Sequence, residues 1–395
     1  MSKILLIFPK LEKDKEFHYV PFGLLKVASK LLAEGHQVKI LDQRTESNFM
    51  EKLFVDLMVH DEVMISSFTG YQLTQTYEIA KFIKECRNDI KITLGGTHAT
   101  ILPELTLKCE YIDDVFIGYY ETGEYEIRWD LININDYINL TTKRAIYISS
   151  YSCPGVCTFC ATIPRQKLVF IPLEMIEKDI DNLMKIYPFK EIVFFDSTIF
   201  TIPERAYFIA DLMKKHNLKW IADARADEIC RMPRYMLDEI VNSGLTQLTI
   251  GLESGSQQVV EKMKKGKNHL ENYKKCAEIL SNYDMKMCSG VIFGTPGETP
   301  EDIKQTIEYI KEIKKINPNF RLSTTFFMPL PNTEMCDEAK EYGYIEPQSL
   351  EEYAERGSDM HYNYNSYQQS MWINDSKEYK KIYDEFVKEN KELFI

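Results

Sequence analysis

The segment Tyr151-Ser152-Cys153-Pro154-Gly155-Val156-Cys157-Thr158-Phe159-Cys160 holds three cysteines, with three residues between the first two and two between the last two. Thiolates are soft ligands that suit zinc or an iron–sulfur cluster. A zinc site wants a fourth ligand at short spacing, and none follows nearby. On a cubane cluster, three cysteines leave one iron without a protein ligand, open to bind and reduce a small molecule. A four-cysteine site only passes electrons. The apolar run Ala145-Ile146-Tyr147-Ile148 before the loop reads as a strand, and Leu173 to Tyr187 after it reads as a helix. The loop therefore stands at the carboxyl end of a strand, where βα-barrel enzymes carry their chemistry.

This spacing, with the aromatic Phe159 just before the last cysteine, resembles the cluster loop of the radical S-adenosylmethionine (SAM) superfamily. The resemblance implies a [4Fe-4S] cluster on Cys153, Cys157 and Cys160, with Phe159 beside SAM.

At 395 residues the chain is too long for one core, and two or three domains are expected. A hydrophobic share of 44% and a charged share of 27% read as a soluble globular protein. The net charge of −12 argues against general nucleic-acid binding, which would need a basic face. Six cysteines outside the loop (Cys86, Cys109, Cys230, Cys276, Cys288, Cys336) are scattered and read as small buried hydrophobes. Nine cysteines, three of them in the loop, suit a reducing cytoplasm better than a disulfide scaffold. The start of the chain lacks a signal-peptide pattern. No apolar run approaches the roughly 20 residues needed to span a bilayer, so no membrane association is expected.

Residues 1–125 alternate strand and helix. Lys3–Phe8, Val38–Leu41, Val63–Ser67, Ile90–Leu94 and Val115–Ile117 read as strands. The segment around Leu24–Leu32, the segment around Phe49–Met58, and Thr74–Arg87 read as helices. Near-continuous apolar strands between helices predict a Rossmann or flavodoxin-like parallel sheet covered on both faces. Such a sheet binds ligands beyond the carboxyl ends of its strands. There stand Phe22-Gly23, Asp42, Ser66 to Gly70 with Thr69, Gly95-Gly96-Thr97-His98, and Gly118. Glycines and hydroxyls are what backbone needs to approach a large flat ligand. Three segments, Pro21-Phe22-Gly23-Leu24, Gly35-His36-Gln37-Val38 with Asp42, and Leu94 to Thr100 with Pro103-Glu104, resemble the cobalamin-binding domain fused ahead of many radical SAM enzymes. The resemblance implies that the crevice residues hold cobalamin. The alternative is a domain that keeps the fold and has lost the ligand. The family's Gly-Glu-Gly-Glu turn is altered here to Gly118-Tyr119-Tyr120-Glu121-Thr122-Gly123-Glu124, and the linker over residues 126–143, rich in Asn and Asp, is short.

Residues 144–331 resume the alternation with a longer stride. Six strands, Arg144–Tyr151, Glu191–Asp196, Trp220–Arg225, Gln247–Leu252, Met287–Phe293 and Arg321–Met328, alternate with amphipathic helices. Thr299 and Asp302 form a capping box ahead of Ile303, Ile307, Ile310 and Ile313. Six units fall short of a closed barrel, and the family resemblance implies an open (β/α)6 partial TIM barrel. Charged residues ending apolar strands are costly to bury without a partner, and a polar ligand supplies one. Gly251 to Ser256 matches the family's Gly-Leu-Glu-Ser-Gly-Ser, and Pro296 to Thr299 its Pro-Gly-Glu-Thr turn. The resemblance implies that Ser197, Arg225 and Glu253 hold the polar parts of SAM. It also implies that the Val291, Ile292 and Phe293 backbone faces the adenine and that Ser254 and Pro296 belong to the SAM site. Where the family often ends its second strand with two acidic residues, Ser197 follows Asp196.

The tail, residues 332–395, opens with a helix over Glu334–Tyr342, continues with a tyrosine- and asparagine-rich run from His361 to Trp372, and ends in a charged helix over Glu378–Leu393. The run reads as a substrate wall or as irregular packing. Taken together, the resemblance implies a cobalamin-dependent radical SAM enzyme that cleaves SAM reductively at the cluster and methylates an unactivated carbon of a small molecule or peptide. An electron donor such as flavodoxin or ferredoxin would reduce the cluster. Rival readings are a cobalamin-associated rearrangement or dehydration, a methylthiotransferase, and a non-catalytic binding protein. A methylthiotransferase would want a further cysteine triad in the first domain, where only Cys86 and Cys109 lie. Histidine ligation of cobalt follows an Asp-x-His-x-x-Gly pattern. Here Asp14, His18 and Gly23 are out of register, so cobalamin is expected without a histidine nitrogen on cobalt.

Overall fold

Two parallel sheets carry the chain, each built from short apolar strands that only burial on both faces can hold. The computed structural model describes residues 1–11, 20–119, 125–137, 144–161, 168–266, 268–357 and 376–394. Asp14, His18, the turn over 120–124 and the run over 361–372 lie outside them. The chain forms two compact units. One comprises Met1–Lys143, Ala161–Pro188 and Glu346–Tyr362; the other comprises Arg144–Cys160, Phe189–Ile345 and Asn363–Ile395.

In the first unit, β1 (Lys3–Phe8), β2 (Gln37–Asp42), β3 (Glu62–Ser66), β4 (Lys91–Gly95) and β5 (Asp114–Val115) lie parallel in the order β2-β1-β3-β4-β5. The order reverses between β1 and β3, the switch point at which such sheets open a ligand crevice. Successive residues of β1 point to opposite faces. Leu5 and Ile7 join Val63, Ile65, Ile92 and Leu94 under α2 (Phe49–Leu57) and α3 (Tyr71–Cys86). Ile4, Leu6 and Phe8 join Leu24, Ala28 and Leu31 of α1 (Phe22–Ala33). Two short helices, α4 (Thr97–Ile101) and α5 (Pro103–Leu107), follow β4.

Two distant segments complete this unit. Helix α6 (Leu173–Ile186) brings Asp179 to a buried ion pair with Lys26, and Ile127 N–H donates to the same carboxylate at 2.8 Å. Helix α14 (Leu350–Gly357), which the tail's sequence did not announce, adds Leu350 and Tyr353 to the core over α3. Thr74 Oγ1 donates to the Ala354 carbonyl and Tyr77 OH to Glu351 at 3.0 Å. A Cβ on Gly357 would collide with the Gly70 carbonyl, so only glycine lets this helix end close against α3.

The second unit is a six-stranded parallel sheet in the order β13-β12-β11-β10-β9-β6: β6 (Arg144–Tyr147), β9 (Glu191–Phe194), β10 (Lys219–Ala224), β11 (Leu245–Ile250), β12 (Lys286–Phe293) and β13 (Phe320–Phe326). The two-residue strands β7 (Ser150–Tyr151) and β8 (Val169–Phe170) lie outside it. Among the described residues its terminal strands β6 and β13 do not pair with each other, as a partial barrel requires, and Leu322 of β13 makes an isolated parallel bridge to Phe394. Five of the six expected strands of this half end one to four residues earlier than their sequence suggests, the remaining residues belonging to the loops that follow, while β12 ends at Phe293 as expected. Helices α7 (Pro203–Lys215), α8 (Ala226–Arg231), α9 (Arg234–Asn242), α10 (Gln257–Lys262), α11 (His269–Leu280) and α12 (Pro300–Ile316) connect the strands, and α13 (Glu334–Glu341) follows β13. The capping box forms as read: Asp302 N–H donates to Thr299 Oγ1 and Thr299 N–H donates to Asp302. The last helix, Lys377–Glu389, buries Tyr379, Tyr383 and Phe386 and sets Tyr383 edge-on to Phe293 and Phe326. Among the described residues no helix is long and apolar enough to cross a membrane.

Candidate active site

The cysteine loop is fastened at both ends. Ser149 N–H, Ser149 Oγ and Ser150 Oγ all donate to the buried Asp196 carboxylate after β9, the first two at 3.0 and 2.7 Å. Arg205 donates to the Ser149 carbonyl at 2.7 Å. Burial raises the Asp196 pKa, and these donors hold it down in part. Asp196 therefore anchors the loop's entry. At the exit, Thr158 N–H donates to the Met263 carbonyl at 3.2 Å and Thr158 Oγ1 to the Lys262 carbonyl at 3.0 Å. Met335 N–H of α13 donates to the Thr158 carbonyl at 3.0 Å. Between these anchors Ser152 takes a left-handed φ of 71°, a strained turn of the kind found at functional loops.

Cys153, Cys157 and Cys160 are partly exposed and form no disulfide. Gly155 N–H donates to Cys153 Sγ at 3.4 Å. The point where a Cβ on Gly155 would stand lies 3.4 Å from Cys153 Sγ, 3.8 Å from Cys157 Sγ and 3.1 Å from Arg225 Nη1. The bare glycine keeps sulfurs and guanidinium around one small space. Among the described residues no three His, Cys, Asp or Glu side chains converge on the position of a single ion. A cubane asks for no such convergence, because each thiolate binds its own iron. Partly exposed thiols with a cation at hand and a backbone donor on sulfur fit a cluster.

The strand ends around the loop gather most of the residues read as SAM contacts. Arg225, after β10, is held by Asp227 at 3.0 Å. Glu253 takes a left-handed φ of 64° and pairs as a bridge with Val291: Glu253 N–H donates to the Gly290 carbonyl at 3.0 Å, and Ile292 N–H to the Glu253 carbonyl at 2.8 Å. Glu253 Oε1 accepts from Lys265 Nζ at 3.1 Å. A Cβ on Gly251 would collide with that oxygen. Phe159 and Ile292 share one apolar cluster with Met263 and Phe327. The Pro296 carbonyl accepts from Lys262, which also pairs with Glu338 of α13.

Three residues stand apart. Ser254 is buried against α12, 3.0 Å from Thr306 Oγ1. The Phe293 ring packs against Tyr383 of the last helix, so only its backbone remains for a ligand. Ser197 is exposed. Sequence reading missed Lys265, Lys262 and the glycines at 155 and 251. The signal for Lys265 was a Lys-Lys-Gly end to a short helix, and nothing in it tells which lysine turns inward.

In the first unit, Ser67 N–H and Oγ both donate to the Gly95 carbonyl at 2.9 Å, and His98 N–H reaches the Ser67 carbonyl at 3.3 Å. This joins the loops after β3 and β4. Gly96, at φ 92°, stands where a Cβ would meet the Ser67 carbonyl at 2.5 Å. Gly118 N–H donates to Thr100 Oγ1 at 3.0 Å, and Gly23 is open. Phe68, 40% exposed, and Ile117, 56% exposed, present apolar surface at the same strand ends. Glycine backbone beside exposed apolar side chains fits a broad flat ligand such as a corrin.

Three expected contacts face elsewhere. Asp42 is closed by Arg44 (2.6 and 2.9 Å) and Tyr137 OH (3.0 Å), with Arg44 stacked on Phe8. His98 is 0% exposed, with Nδ1 2.9 Å from Thr69 Oγ1 and its ring edge-on to Tyr353. Its Nε2 is buried without a partner, and burial lowers its pKa to about 3. Its position is beneath the Ser66–Gly70 loop. Phe22 is likewise buried, edge-on to Trp129.

Three thiols at the end of the first strand of an open parallel half-barrel, ringed by Arg225 and Glu253, define a radical SAM enzyme, and the family model described as Radical SAM superfamily matches residues 147–310. A second model, B12 binding domain, matches residues 15–128. The chain carries a region that matches the B12-binding domain ahead of one that matches the radical SAM superfamily. An uncharacterized methyltransferase of Pyrococcus horikoshii is 23% identical over 86% of this chain and 83% of its own length. The cytidylyl-2-hydroxyethylphosphonate methyltransferase of Streptomyces wedmorensis is 21% identical over 88% and 83%. The solved radical SAM methyltransferase TsrM of Kitasatospora setae, with tryptophan substrate and a SAM analog, superposes with a TM-score of 0.73 at 13% identity, over 97% of this chain and 89% of its own. TsrM has also been solved with cobalamin and a [4Fe-4S] cluster.

Proposed function

We propose that the protein is a cobalamin-dependent radical SAM methyltransferase acting on an unactivated carbon of a small molecule or peptide. Supporting this reading is the presence in one chain of an open three-thiolate loop and a glycine-lined crevice of B12-binding type. When bound, the cluster and SAM supply a 5′-deoxyadenosyl radical and cobalamin supplies a transferable methyl group.

The chain's own residues bind, orient and shield. Cys153, Cys157 and Cys160 hold the cluster, with the loop fixed by Asp196 and Thr158. Arg225 and Glu253 take the polar end of SAM. Phe159 and Ile292 give its adenine an apolar wall, and the Pro296 turn, tied to α13 through Lys262, closes that side. Glycines 23, 70, 95, 96 and 118 let backbone approach the corrin. Ser66 and Thr97 offer it hydroxyls, while Thr69 is buried against His98. A bound cluster would need a one-electron donor of the flavodoxin or ferredoxin class.

The test is product analysis of anaerobically reconstituted enzyme with a true substrate. Methyl transfer yields 5′-deoxyadenosine and S-adenosylhomocysteine, about one of each per product, since one SAM makes the radical and another remethylates cobalt. Cys153→Ala should make neither. A turnover with bound cobalamin and no S-adenosylhomocysteine would instead support the rearrangement reading.

A further inference from the structure

The last helix carries a hydroxyl that packing does not explain. Ser376 Oγ accepts from Tyr379 N–H at 3.2 Å and fixes the helix's first turn. Tyr379, Tyr383 and Phe386 then recur at i, i+4 and i+7 and form its buried face. At the third of these a phenylalanine is enough. Tyr383 OH lies 3.0 Å from Thr324 Oγ1 of β13. The Tyr379 ring is 1% exposed, and Gly294 N–H, 85 residues away in sequence, donates to its oxygen at 2.9 Å. A buried tyrosine oxygen wants a partner, and so does an amide just past the end of β12.

Gly294 opens the turn from β12 to α12. Gly294 and Gly297 both take a left-handed φ of 73°. Thr295 N–H donates to the Glu298 carboxylate at 2.9 Å, and Glu298 N–H to the Thr295 carbonyl at 3.0 Å, so the turn closes on itself. Other elements hold it at three points: Tyr379 at Gly294, Lys262 at the Pro296 carbonyl, and Tyr342 OH, which stands 2.6 Å from where a Cβ on Gly297 would be. The first of these reaches the amide directly after Phe293.

We propose that Tyr379 is a positioning residue for SAM: by accepting from Gly294 N–H it fixes the backbone at the end of β12 that reads the polar edge of adenine. This rests on reading Val291–Phe293 as the adenine wall. The side chains at that wall, Phe159 and Ile292, are apolar, so hydrogen bonds to the base fall to backbone. A backbone edge discriminates only while its direction is fixed, and glycine, free on both sides of φ, does not fix it alone.

The experiment is equilibrium binding to the full-length, reconstituted enzyme, at matched cluster content, of SAM and of its deaminated analogue S-inosylmethionine, which exchanges donor for acceptor at the base edge. Wild type should prefer SAM. Tyr379→Phe removes one oxygen and keeps the ring. It should weaken SAM about tenfold and the analogue less, so that the preference falls. Tyr383→Phe, which frees the same helix from Thr324, should match wild type for both ligands. Wild-type SAM affinity in Tyr379→Phe overturns the proposal, as does equal weakening of both ligands or the same loss in Tyr383→Phe. If Tyr379→Phe does not fold, hydrogen exchange of the wild type decides. SAM should then slow exchange over residues 290–299 and 376–389 together, and slowing confined to the first segment overturns the proposal. Ile292→Ala tests the reading beneath it and should weaken SAM. Unchanged SAM affinity in Ile292→Ala, or a wild type that binds both ligands alike, moves adenine away from β12, and the proposal falls with that reading. A loss in Ile292→Ala with none in Tyr379→Phe overturns the proposal alone.

Discussion

Lys26 and Asp179 stand 153 residues apart in sequence and form an ion pair 3.0 Å long, with side chains 4% and 0% exposed. Burial lowers the Lys26 pKa and Asp179 raises it in part. The pair fixes α6 to α1. Removing one partner leaves a buried charge, which costs about 3–5 kcal/mol. Lys26→Met and Asp179→Asn should each lower unfolding free energy by about that much, and Lys26→Met with Asp179→Leu by clearly less than their sum. Urea unfolding checks this. Single variants that lose under about 1 kcal/mol, the worth of an exposed pair, would refute it.

Gly251→Ala tests Glu253 in SAM binding. The new methyl collides with the end of the Glu253 side chain and stands 3.4 Å from Lys265 Nζ; the carboxylate can swing aside, so the fold should form, with a lower melting temperature because the mostly buried pair with Lys265 is lost. The displaced carboxylate can no longer meet Lys265 or SAM. Losing a charge-assisted hydrogen bond of about 1.5–3 kcal/mol weakens SAM binding by about ten- to a hundredfold. Equilibrium SAM binding at full cluster content measures it, and unchanged affinity would remove Glu253 from the SAM site.

Lys264→Gly should stabilise the protein. A non-glycine residue in left-handed conformation, as Lys264 is at φ 53°, costs about 1–2 kcal/mol, while the exposed pair with Glu334 contributes at most about 1 kcal/mol. A net gain of about 0.5 kcal/mol is expected by chemical denaturation. A net loss would mean that the Lys264–Glu334 pair matters more than its exposure suggests.

His98 makes acid stability testable. Its folded pKa, about 3, lies below the ordinary value of 6.5. The unfolded chain therefore binds a proton that the folded one refuses. The stabilisation is complete above pH 6.5 and is lost as pH falls toward 3, by about 1.4 kcal/mol per unit. His98→Gln should flatten the fall of melting temperature between pH 6.5 and 4. The same burial keeps its nitrogen from cobalt, so the cobalt(II) resonance spectrum should show no nitrogen splitting, in wild type or in the variant. A splitting that vanishes in His98→Gln would reverse that assignment.

What could be read from sequence was whatever is written locally. The cysteine loop, the apolar parallel strands and the Thr299–Asp302 cap each lie within a few residues, and all appear in the fold. What could not be read depends on distant partners. Nothing near Asp42 points to Tyr137, and nothing near His98 points to Tyr353. Helix α14 shows only Leu350, Tyr353 and Ala354 as an apolar edge before a polar tail, and its meaning lies in α3. Lys265 faces inward because Lys264 adopts an unfavourable φ, which propensity argues against.

The docking of α14 on α3 has a consequence in time. A nascent chain has made all five strands of the first sheet by residue 115, yet Leu350 and Tyr353 complete its core only after residue 350 is made. At about 5–20 residues per second, α3 waits on the order of ten to fifty seconds with its outer apolar face uncovered. During that interval the B12-binding half is a client for chaperones. A fragment cut after the first linker lacks both α6 and α14, so expressing this half alone should give aggregates unless residues 168–188 and 346–357 are both supplied in trans.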